Sequence, residues 1–259
     1  MKEFILPNRS DKIRYHDLPG GGTPIVFLHG LGCASSMDYP AVAAQQPLSG
    51  HRRILVDLLG AGFSDKPDDF GYAAEDHADY LLRFVEALEL DSFVLFGHSM
   101  GGAVAISLAR LCEKRIRHLV LTESNLDPTA GSGVLSSRIA SQPMEEFLSG
   151  GFDALAEQIR QSGSTLWSAS FALWSPVAAH RFALSGARGG SIPWRETLYA
   201  LQCPKTYVFG EHSLPDPDES ELRNHGVRVE IVPRAGHGMA WDNPAGLAEA
   251  IGRAIHFEP

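Results

Sequence analysis

Hydrophobic residues along the chain fall into short, nearly continuous runs separated by longer amphipathic stretches. The apolar runs of strand length are Ile25–Leu28, Ile54–Val56, Phe93–Phe96, Leu119–Leu121, Tyr207–Phe209 and Val227–Val232. Because they do not alternate with polar residues, they are typical of strands covered by helices on both faces. The stretches with helical periodicity are Glu75–Leu90, Gly101–Cys112 and Pro244–His256. This alternation predicts an α/β fold with a mostly parallel sheet, whose functional residues gather at the carboxyl edge of the strands.

The pattern changes between residues 125 and 201, where no strand-like run occurs and short helical stretches are rich in Ala, Ser and Gly. We interpret this region as a helical cap, or lid, inserted into a core formed by residues 1–124 and 202–259. Its Gly and Ser content predicts a mobile cap that controls access to a site. Its aromatic residues Trp167, Phe171 and Trp174 suggest an apolar pocket, although such a stripe more often forms the core of a lid.

Composition narrows the possible classes of protein. With 259 residues, 44% of them hydrophobic and 20% charged, the chain has the make-up of a globular protein with room for one large domain or a core plus a cap. The net charge of −9 argues against binding to nucleic acid or anionic lipid. No apolar stretch approaches the roughly 18 residues of a membrane span, and the N-terminal apolar run is too short for a signal peptide. We therefore expect a cytoplasmic protein.

The cysteines do not form a recognisable site. Cys33, Cys112 and Cys203 are odd in number and widely spaced, without a C-x-x-C motif or a Cys/His cluster. This arrangement predicts neither a zinc site nor a disulfide framework and favours a reducing compartment.

The first candidate for chemistry is Gly97-His98-Ser99-Met100-Gly101, which follows the apolar run Phe93–Phe96 and precedes a helical stretch. This is G-x-S-x-G in the strand, turn and helix context that presents a nucleophilic serine on a strained turn. The glycines are needed because side chains there would collide with the neighbouring strand and helix. Alone, the motif would equally fit a tight turn with Ser99 as a helix cap. Its position after an apolar strand favours Ser99 as a nucleophile.

Two further loops follow predicted strands. Ile25–Leu28 runs into His29-Gly30-Leu31-Gly32, where the N–H of Leu31 is placed to pair with that of Met100 and hold an oxyanion. The alternative is a flexible connecting loop. After the last strand comes Gly236-His237-Gly238, which puts a histidine downstream of the serine at the same sheet edge. An imidazole titrates near neutrality, so His237 is the candidate general base.

Together these motifs resemble the α/β-hydrolase superfamily. The matching segments cover most of the chain outside the cap and are His29-Gly30, Asp57 to Pro67, Gly97 to Gly102 and Gly236-His237. The resemblance implies an eight-stranded sheet, a lid and hydrolysis without a cofactor or a metal, and it gives the segment from Asp57 to Pro67 a structural role. Relatives that act on haloalkanes and epoxides use an aspartate at the elbow, so Ser99 argues against both reactions.

The sequence departs from the family pattern at the acid of the triad. After Tyr207–Phe209 the family usually reads Gly-x-x-Asp, whereas this chain has Ser213 at the position of the aspartate. Asp216 and Asp218 follow closely and would serve if the loop is longer than usual. Glu123, directly after Leu119–Leu121, is the other candidate, because it is similar to the acid of the haloalkane dehalogenase and coelenterazine-luciferase branches. A polar strand end would look the same, yet the position of Glu123 favours it over Asp216.

The sequence therefore predicts a serine hydrolase that cleaves an apolar carboxylic ester or related acyl compound. Ser99 attacks, His237 relays the proton, Glu123 orients the imidazole, and the N–H groups of Leu31 and Met100 hold the oxyanion. Candidate pocket residues are His29, Trp167, Phe171 and Trp174. Carbon–carbon bond hydrolysis, lyase and acyltransfer chemistry remain open, because one fold hosts many reactions. A ligand receptor without turnover is the alternative from another class, favoured only by Ser213.

Overall fold

An eight-stranded sheet forms the centre of the protein in the computed structural model, which describes residues 1–6 and 9–256. The strands are β1 (Lys2–Ile5), β2 (Lys12–Leu18), β3 (Gly22–Leu28), β4 (His51–Asp57), β5 (Phe93–His98), β6 (Ile116–Thr122), β7 (Lys205–Gly210) and β8 (Arg228–Val232). Their spatial order is β1-β2-β4-β3-β5-β6-β7-β8. The pairs β1/β2 and β2/β4 are antiparallel, and all other neighbours are parallel. The predicted fold class is confirmed.

The helices occupy both faces of the sheet and the long connection between β6 and β7. They are α1 (Ser35–Asp38), α2 (Pro40–Ala43), α3 (Gln46–Ser49), α4 (Ala74–Ala87), α5 (Met100–Cys112), α6 (Leu135–Ala140), α7 (Met144–Glu146), α8 (Phe152–Gln161), α9 (Thr165–Phe171), α10 (Pro176–Arg188), α11 (Trp194–Ala200), α12 (Asp218–Asn224), α13 (Met239–Asp242) and α14 (Pro244–Ile255). A π-helical turn (Phe147–Gly151) joins α7 to α8, and 3₁₀ turns cover Glu113–Arg115 and Glu211–Ser213. None of the described helices combines the length and the apolarity that crossing a bilayer requires.

The six strands β3 to β8 contain the six apolar runs of the sequence, whereas β1 and β2 carry no such run. In β2 the buried side chains are those of Ile13 and Tyr15, which alternate with more exposed charged residues. One face of this antiparallel part of the sheet is open, so its pattern has a period of two rather than being continuous. The alternation contains only two buried positions between charged residues, so the apolar pattern of the sequence does not predict this strand.

Apolar packing on the two faces of the sheet holds the helices in place. One face carries α4 and α5, and the opposite face carries α2, α3 and α14. At the start of α14, the side chain of Asn243 caps the helix by accepting a hydrogen bond from the N–H of Gly246 (2.9 Å). Such a cap contributes about 1 kcal/mol and fixes where the helix starts.

The connection between β6 and β7 contains the helices α6 to α11 and no strand among its described residues, and we call residues 125–201 the inserted segment. Two buried side-chain hydrogen bonds connect it to the core. Trp174 donates through Nε1 to the carbonyl of Cys33 (2.7 Å), and Ser170 Oγ donates to Asp38 Oδ1 (2.8 Å). The side chain of Phe171 is fully buried. The α9 end of the inserted segment therefore rests directly on the loop that follows β3.

The register of the sheet sets the geometry of the site. In the parallel pair β5/β6, His98 lies opposite Thr122. The next residue of each strand is then Ser99 on one side and Glu123 on the other. Both residues leave the sheet at its carboxyl edge, where functional groups of parallel sheets collect.

Candidate active site

Ser99 lies at the sharp turn between β5 and α5. Its backbone has φ 51° and ψ −126°, a conformation that residues with a Cβ rarely adopt. The turn is held by a hydrogen bond from the Ser99 N–H to the carbonyl of Thr122 (2.9 Å) and one from Gly102 N–H to the Ser99 carbonyl (2.9 Å). Such strain costs roughly 1–3 kcal/mol and persists only where the surroundings impose it, typically at functional sites.

The flanking glycines of the turn are required by close packing. A Cβ on Gly97 would lie 2.7 Å from the Cβ of Ala105, and one on Gly101 would lie 2.7 Å from the carbonyl carbon of His29. Both distances are shorter than real carbon contacts. The G-x-S-x-G pattern thus reflects the approach of β5 to α5 and of α5 to the loop after β3.

Two backbone N–H groups beside Ser99 lack acceptors. Among the described residues, neither the N–H of Leu31 nor that of Met100 donates a hydrogen bond to the protein. Met100 is the first residue of α5, so its N–H also carries the partial positive charge of a helix N-terminus. Leu31 and Met100 line the same cavity as Ser99. Free donors in this position are suited to a developing oxyanion.

Glu123 and His237 are in direct contact. Oε2 of Glu123 lies 2.8 Å from Nδ1 of His237, and Oε1 accepts a hydrogen bond from the N–H of Gly210 (2.9 Å). The backbone of Glu123, like that of Ser99, has a positive φ, here 39°. The carboxylate thereby fixes Nδ1 of the ring as the side facing the acid, which leaves Nε2 for the cavity.

The charge state of Glu123 follows from its neighbours. Burial raises its pKa, but hydrogen bonds from His237, Ser213 and the Gly210 amide outweigh burial, and the pKa is lowered overall. Glu123 is therefore ionised at neutral pH. Ser213, which stands at the usual position of the acid, acts as a hydrogen-bonding partner of the glutamate instead.

The alternative acids face elsewhere. Asp216 accepts a hydrogen bond from the N–H of Asp218 (2.8 Å), and Asp218 Oδ2 lies 2.9 Å from Nη2 of Arg195. Within the described part of the chain, neither carboxylate contacts His237. The loop with its two prolines thus directs both aspartates toward α11 and α12 rather than toward the histidine.

His98 forms the wall behind His237. The two rings have centroids 4.6 Å apart, and His98 Nδ1 lies 3.0 Å from Thr122 Oγ1. Burial, followed by the nearby His237, lowers the pKa of His98 to about 3, so the ring is neutral. An uncharged ring packed against His237 restricts its position without competing for the proton. No hydrogen bond joins Ser99 Oγ to His237 in the described structure, and such bonds often tighten only in the substrate complex.

A cavity of about 610 Å³ opens over these groups. Its lining includes Ser99, Glu123 and His237, and most of its surface area is apolar. The apolar lining residues are Leu31, Cys33, Met100, Leu126, Pro128, Val134, Leu135, Trp167 and Trp241. The volume is that of a typical small-molecule site. Within residues 1–6 and 9–256, no group of three or more His, Cys, Asp or Glu residues is arranged to hold a metal ion.

Of the four predicted pocket residues, only Trp167 lines the cavity. The prediction is wrong for His29, whose buried ring accepts a hydrogen bond at Nε2 from the Leu58 N–H (3.0 Å) and thus braces two loops. It is also wrong for Phe171 and Trp174, which are buried between the inserted segment and the core. Two of the three aromatic residues therefore belong to the buried packing of the inserted segment, and one contacts the cavity.

Sequence reasoning missed Asp38, a buried residue behind the cavity. Its Oδ2 accepts a hydrogen bond from the N–H of Ala34 (2.9 Å), and its Oδ1 accepts one from Ser170 of α9. Burial raises the pKa of Asp38 to about 6. The carboxyl group links the loop after β3 to the inserted segment. A single acid in a short helix gives no sequence signal for such a role.

The chain was compared with known proteins. A family model described as the alpha/beta hydrolase fold matches residues 23–172. A 2-hydroxy-6-oxo-2,4-heptadienoate hydrolase of Pseudomonas putida is 36% identical over 107 residues, which are 41% of this chain and 38% of that protein. Haloalkane dehalogenase 2 of Mycobacterium bovis is 30% identical over 137 residues, which are 52% of this chain and 47% of that protein. The matches thus span less than half the length of these curated relatives.

The fold extends over the whole chain in solved structures. A thermophilic esterase from Thermogutta terrifontis superimposes with a TM-score of 0.80 and covers 99% of this chain and 100% of its own. Its sequence identity is 23%, so this similarity shows a common fold. It does not by itself assign a substrate.

Proposed function

We propose, given that the chain belongs to the α/β-hydrolase fold family, that it is a serine hydrolase cleaving a carboxylic ester or related acyl compound. The observation that carries this proposal is the 2.8 Å contact between Glu123 Oε2 and His237 Nδ1 beside the strained Ser99. An acid, an imidazole and a serine then meet in one cavity in the chain order Ser, acid, His. In this assignment the acid follows β6 rather than β7.

Acylation begins when Ser99 Oγ attacks the substrate carbonyl carbon and His237 Nε2 takes the hydroxyl proton. Glu123 holds Nδ1–H and stabilises the imidazolium that forms. The carbonyl oxygen gains negative charge and is held by the N–H groups of Leu31 and Met100, whose lack of protein acceptors supports this role. The C–O bond to the leaving group then breaks, and His237 returns the proton to the departing alkoxide.

Deacylation repeats these steps with water. His237 removes a proton from a water molecule, whose oxygen attacks the acyl carbon on Ser99. The second oxyanion collapses, the bond to Ser99 Oγ breaks, and the proton on His237 passes to that oxygen. The products are a carboxylic acid and an alcohol, and the free enzyme is regenerated without a cofactor.

Carbon–carbon bond hydrolysis is the main alternative. The relative from Pseudomonas putida is named as a hydrolase of a dienoate, and a dienoate carries a carboxylate. Transfer of a carboxylate from water into a mostly apolar cavity is costly unless a cation or several hydrogen-bond donors stabilise it. The described lining of the cavity contains the acids Glu123, Asp127 and Asp218 but neither lysine nor arginine. This lining supports ester or acyl hydrolysis over cleavage of an anionic dienoate.

The test combines turnover with active-site labelling. We expect hydrolysis of 4-nitrophenyl butanoate and stoichiometric labelling by a fluorophosphonate, with the label on the peptide that contains Ser99. Absence of both turnover and label would favour a ligand receptor that has kept the pocket. Labelling on another serine would overturn the assignment of the nucleophile.

The inserted segment is proposed to act as a lid, because seven cavity-lining residues between 127 and 136 belong to it. These are Asp127, Pro128, Thr129, Ser132, Val134, Leu135 and Ser136. Glycines at 131 and 133 have positive φ and open space around them, so this stretch has the composition of a hinge.

A further inference from the structure

The described lining of the cavity contains acidic side chains but no lysine or arginine. Asp127 and Asp218 line the cavity and both bind the guanidinium of Arg195, a residue of α11. Nε of Arg195 donates to Asp127 Oδ2 (2.8 Å), and Nη2 donates to both Asp127 and Asp218, the latter at 2.9 Å. Glu221 Oε2 lies 3.6 Å from Nη1. We call these four residues the Arg195 cluster.

Arg195 is not available to a ligand in this arrangement. The side chain is 18% exposed, and its Nε–H and Nη2–H groups point at the two aspartates. Its remaining nitrogen, Nη1, lies 3.2 Å from the hydroxyl of Tyr199. The aspartates occupy the donors that would form the bidentate contact by which arginine recognises carboxylates.

The Arg195 cluster also carries excess negative charge. Three carboxylates surround one guanidinium, which leaves a formal charge of −2 beside the cavity. Glu123, which lines the same cavity, is ionised as well, and its Oε2 lies 2.8 Å from Nδ1 of His237. Asp127 and Glu221 are about half-exposed and Asp218 is 28% exposed, so their charge acts on a ligand in the cavity most strongly at low salt.

We propose that Asp127 and Asp218 determine the charge selectivity of the site: by occupying Arg195 and leaving net negative charge, they make the cavity take uncharged acyl groups and reject those that carry a carboxylate. The kinetic test of this inference depends on the proposed ester hydrolysis, and the inference adds the class of substrate that the site accepts. Selection of this kind works by repulsion of the wrong ligand as much as by attraction of the right one.

The kinetic test uses two esters that differ only in charge. They are the 4-nitrophenyl monoester of adipic acid, which ends in a carboxylate, and that of adipamic acid, which ends in the nearly isosteric amide. After correction for spontaneous hydrolysis, we expect kcat/KM of the wild type to favour the amide ester by at least about tenfold at low salt. The preference falls as salt is added, because mobile ions screen the cluster.

The double variant Asp127→Asn/Asp218→Asn removes two negative charges and two anionic acceptors of Arg195. We expect the ratio of kcat/KM for the ester that ends in an amide to kcat/KM for the ester that ends in a carboxylate to fall at least about tenfold relative to the wild type. The control is Glu145→Gln/Asp153→Asn, which removes two exposed acids of the inserted segment that do not line the cavity. It changes net charge equally and is expected to keep the wild-type preference.

A binding measurement separates this inference from the proposed reaction. Adipamide and adipamate are titrated by calorimetry into Ser99→Ala, with and without the two aspartate substitutions. Tighter binding of the neutral ligand that disappears in the aspartate variant supports the inference even if no ester is hydrolysed. Equal binding of both ligands to Ser99→Ala overturns it even if esters are cleaved. Equal shifts in the cavity variant and the control variant overturn it too, because net charge alone would then be responsible.

Discussion

Glu123 and His237 are 114 residues apart in the sequence, and their side chains meet through a 2.8 Å contact between Oε2 and Nδ1. This contact exists because β6 and β8 end at the same edge of the sheet. Glu123 directly follows β6, and His237 lies in the loop after β8. The same edge carries Ser99, one register position beyond the pair His98 and Thr122. An acid directly after β6 thus reaches the histidine, and no acid from the loop after β7 is needed for this contact.

Replacing the acid by its amide tests this assignment. We expect Glu123→Gln to lower kcat by roughly 10³ to 10⁴, because the amide no longer stabilises the imidazolium or fixes the tautomer of His237. The measurement is hydrolysis of 4-nitrophenyl butanoate at pH 8. The matched control is Asp216→Asn, which should remain within about tenfold of the wild type, or roughly 1.4 kcal/mol in barrier. A crippled Asp216→Asn with normal turnover in Glu123→Gln would reverse the assignment.

Two substitutions of Ser99 separate its chemistry from its backbone strain. Ser99→Ala and Ser99→Gly should both lose roughly 10⁶ in kcat, since neither has a nucleophile. Ser99→Gly should be the more stable of the two by about 1 kcal/mol, because glycine adopts a φ near 51° with little cost. Chemical denaturation followed by circular dichroism provides the free energy of unfolding. Equal stabilities would show that the elbow is not strained in solution.

Asp38 should couple stability to pH. Burial raises its pKa from 3.8 to about 6, so between these pH values the folded protein retains a proton that the unfolded chain has released. The contribution of Asp38 is therefore largest at low pH and is lost as the pH rises through 6. It amounts to roughly 3 kcal/mol at about 1.4 kcal/mol for each pKa unit.

The measurement is the difference in unfolding free energy between the wild type and Asp38→Asn from pH 4 to pH 7. Buried histidines such as His98, whose pKa is lowered, have the opposite pH dependence, but they are present in both proteins and cancel in the difference. We expect the wild type to lose stability relative to Asp38→Asn as the pH rises. Asp153→Asn, an exposed acid, should show a flat difference. Parallel curves for wild type and Asp38→Asn would contradict the assignment.

Hydrogen exchange should divide the inserted segment into two parts. The α9 region is tied to the core by Ser170 and Trp174, so its amides should exchange slowly. Residues 130–134 are exposed, so we expect protection factors there to be at least about a hundredfold lower. Uniform protection across residues 125–201 would exclude a gate at this stretch. Fast exchange throughout would indicate that the whole segment moves.

The main features of the fold were readable from the sequence because they depend on local rules. Continuous apolar runs predict doubly covered strands, and their order predicts a parallel sheet. The glycines around Ser99 carry a packing requirement that is visible without coordinates. Antiparallel β2 was not recognised, since its alternation of Ile13 and Tyr15 with charged residues resembles many exposed segments.

Side-chain contacts between distant segments were decided by the tertiary structure alone. The sequence favoured Glu123 over Asp216 because Glu123 directly follows a strand. Whether either side chain contacts His237 was beyond the sequence, because the direction of a loop depends on what packs around it. In the structure, Asp216 accepts from the N–H of Asp218, whose own carboxylate binds Arg195. Phe171 and Trp174 are buried between the inserted segment and the core. Local patterns determine which elements form, whereas orientation and burial are set by packing between elements that lie far apart along the chain.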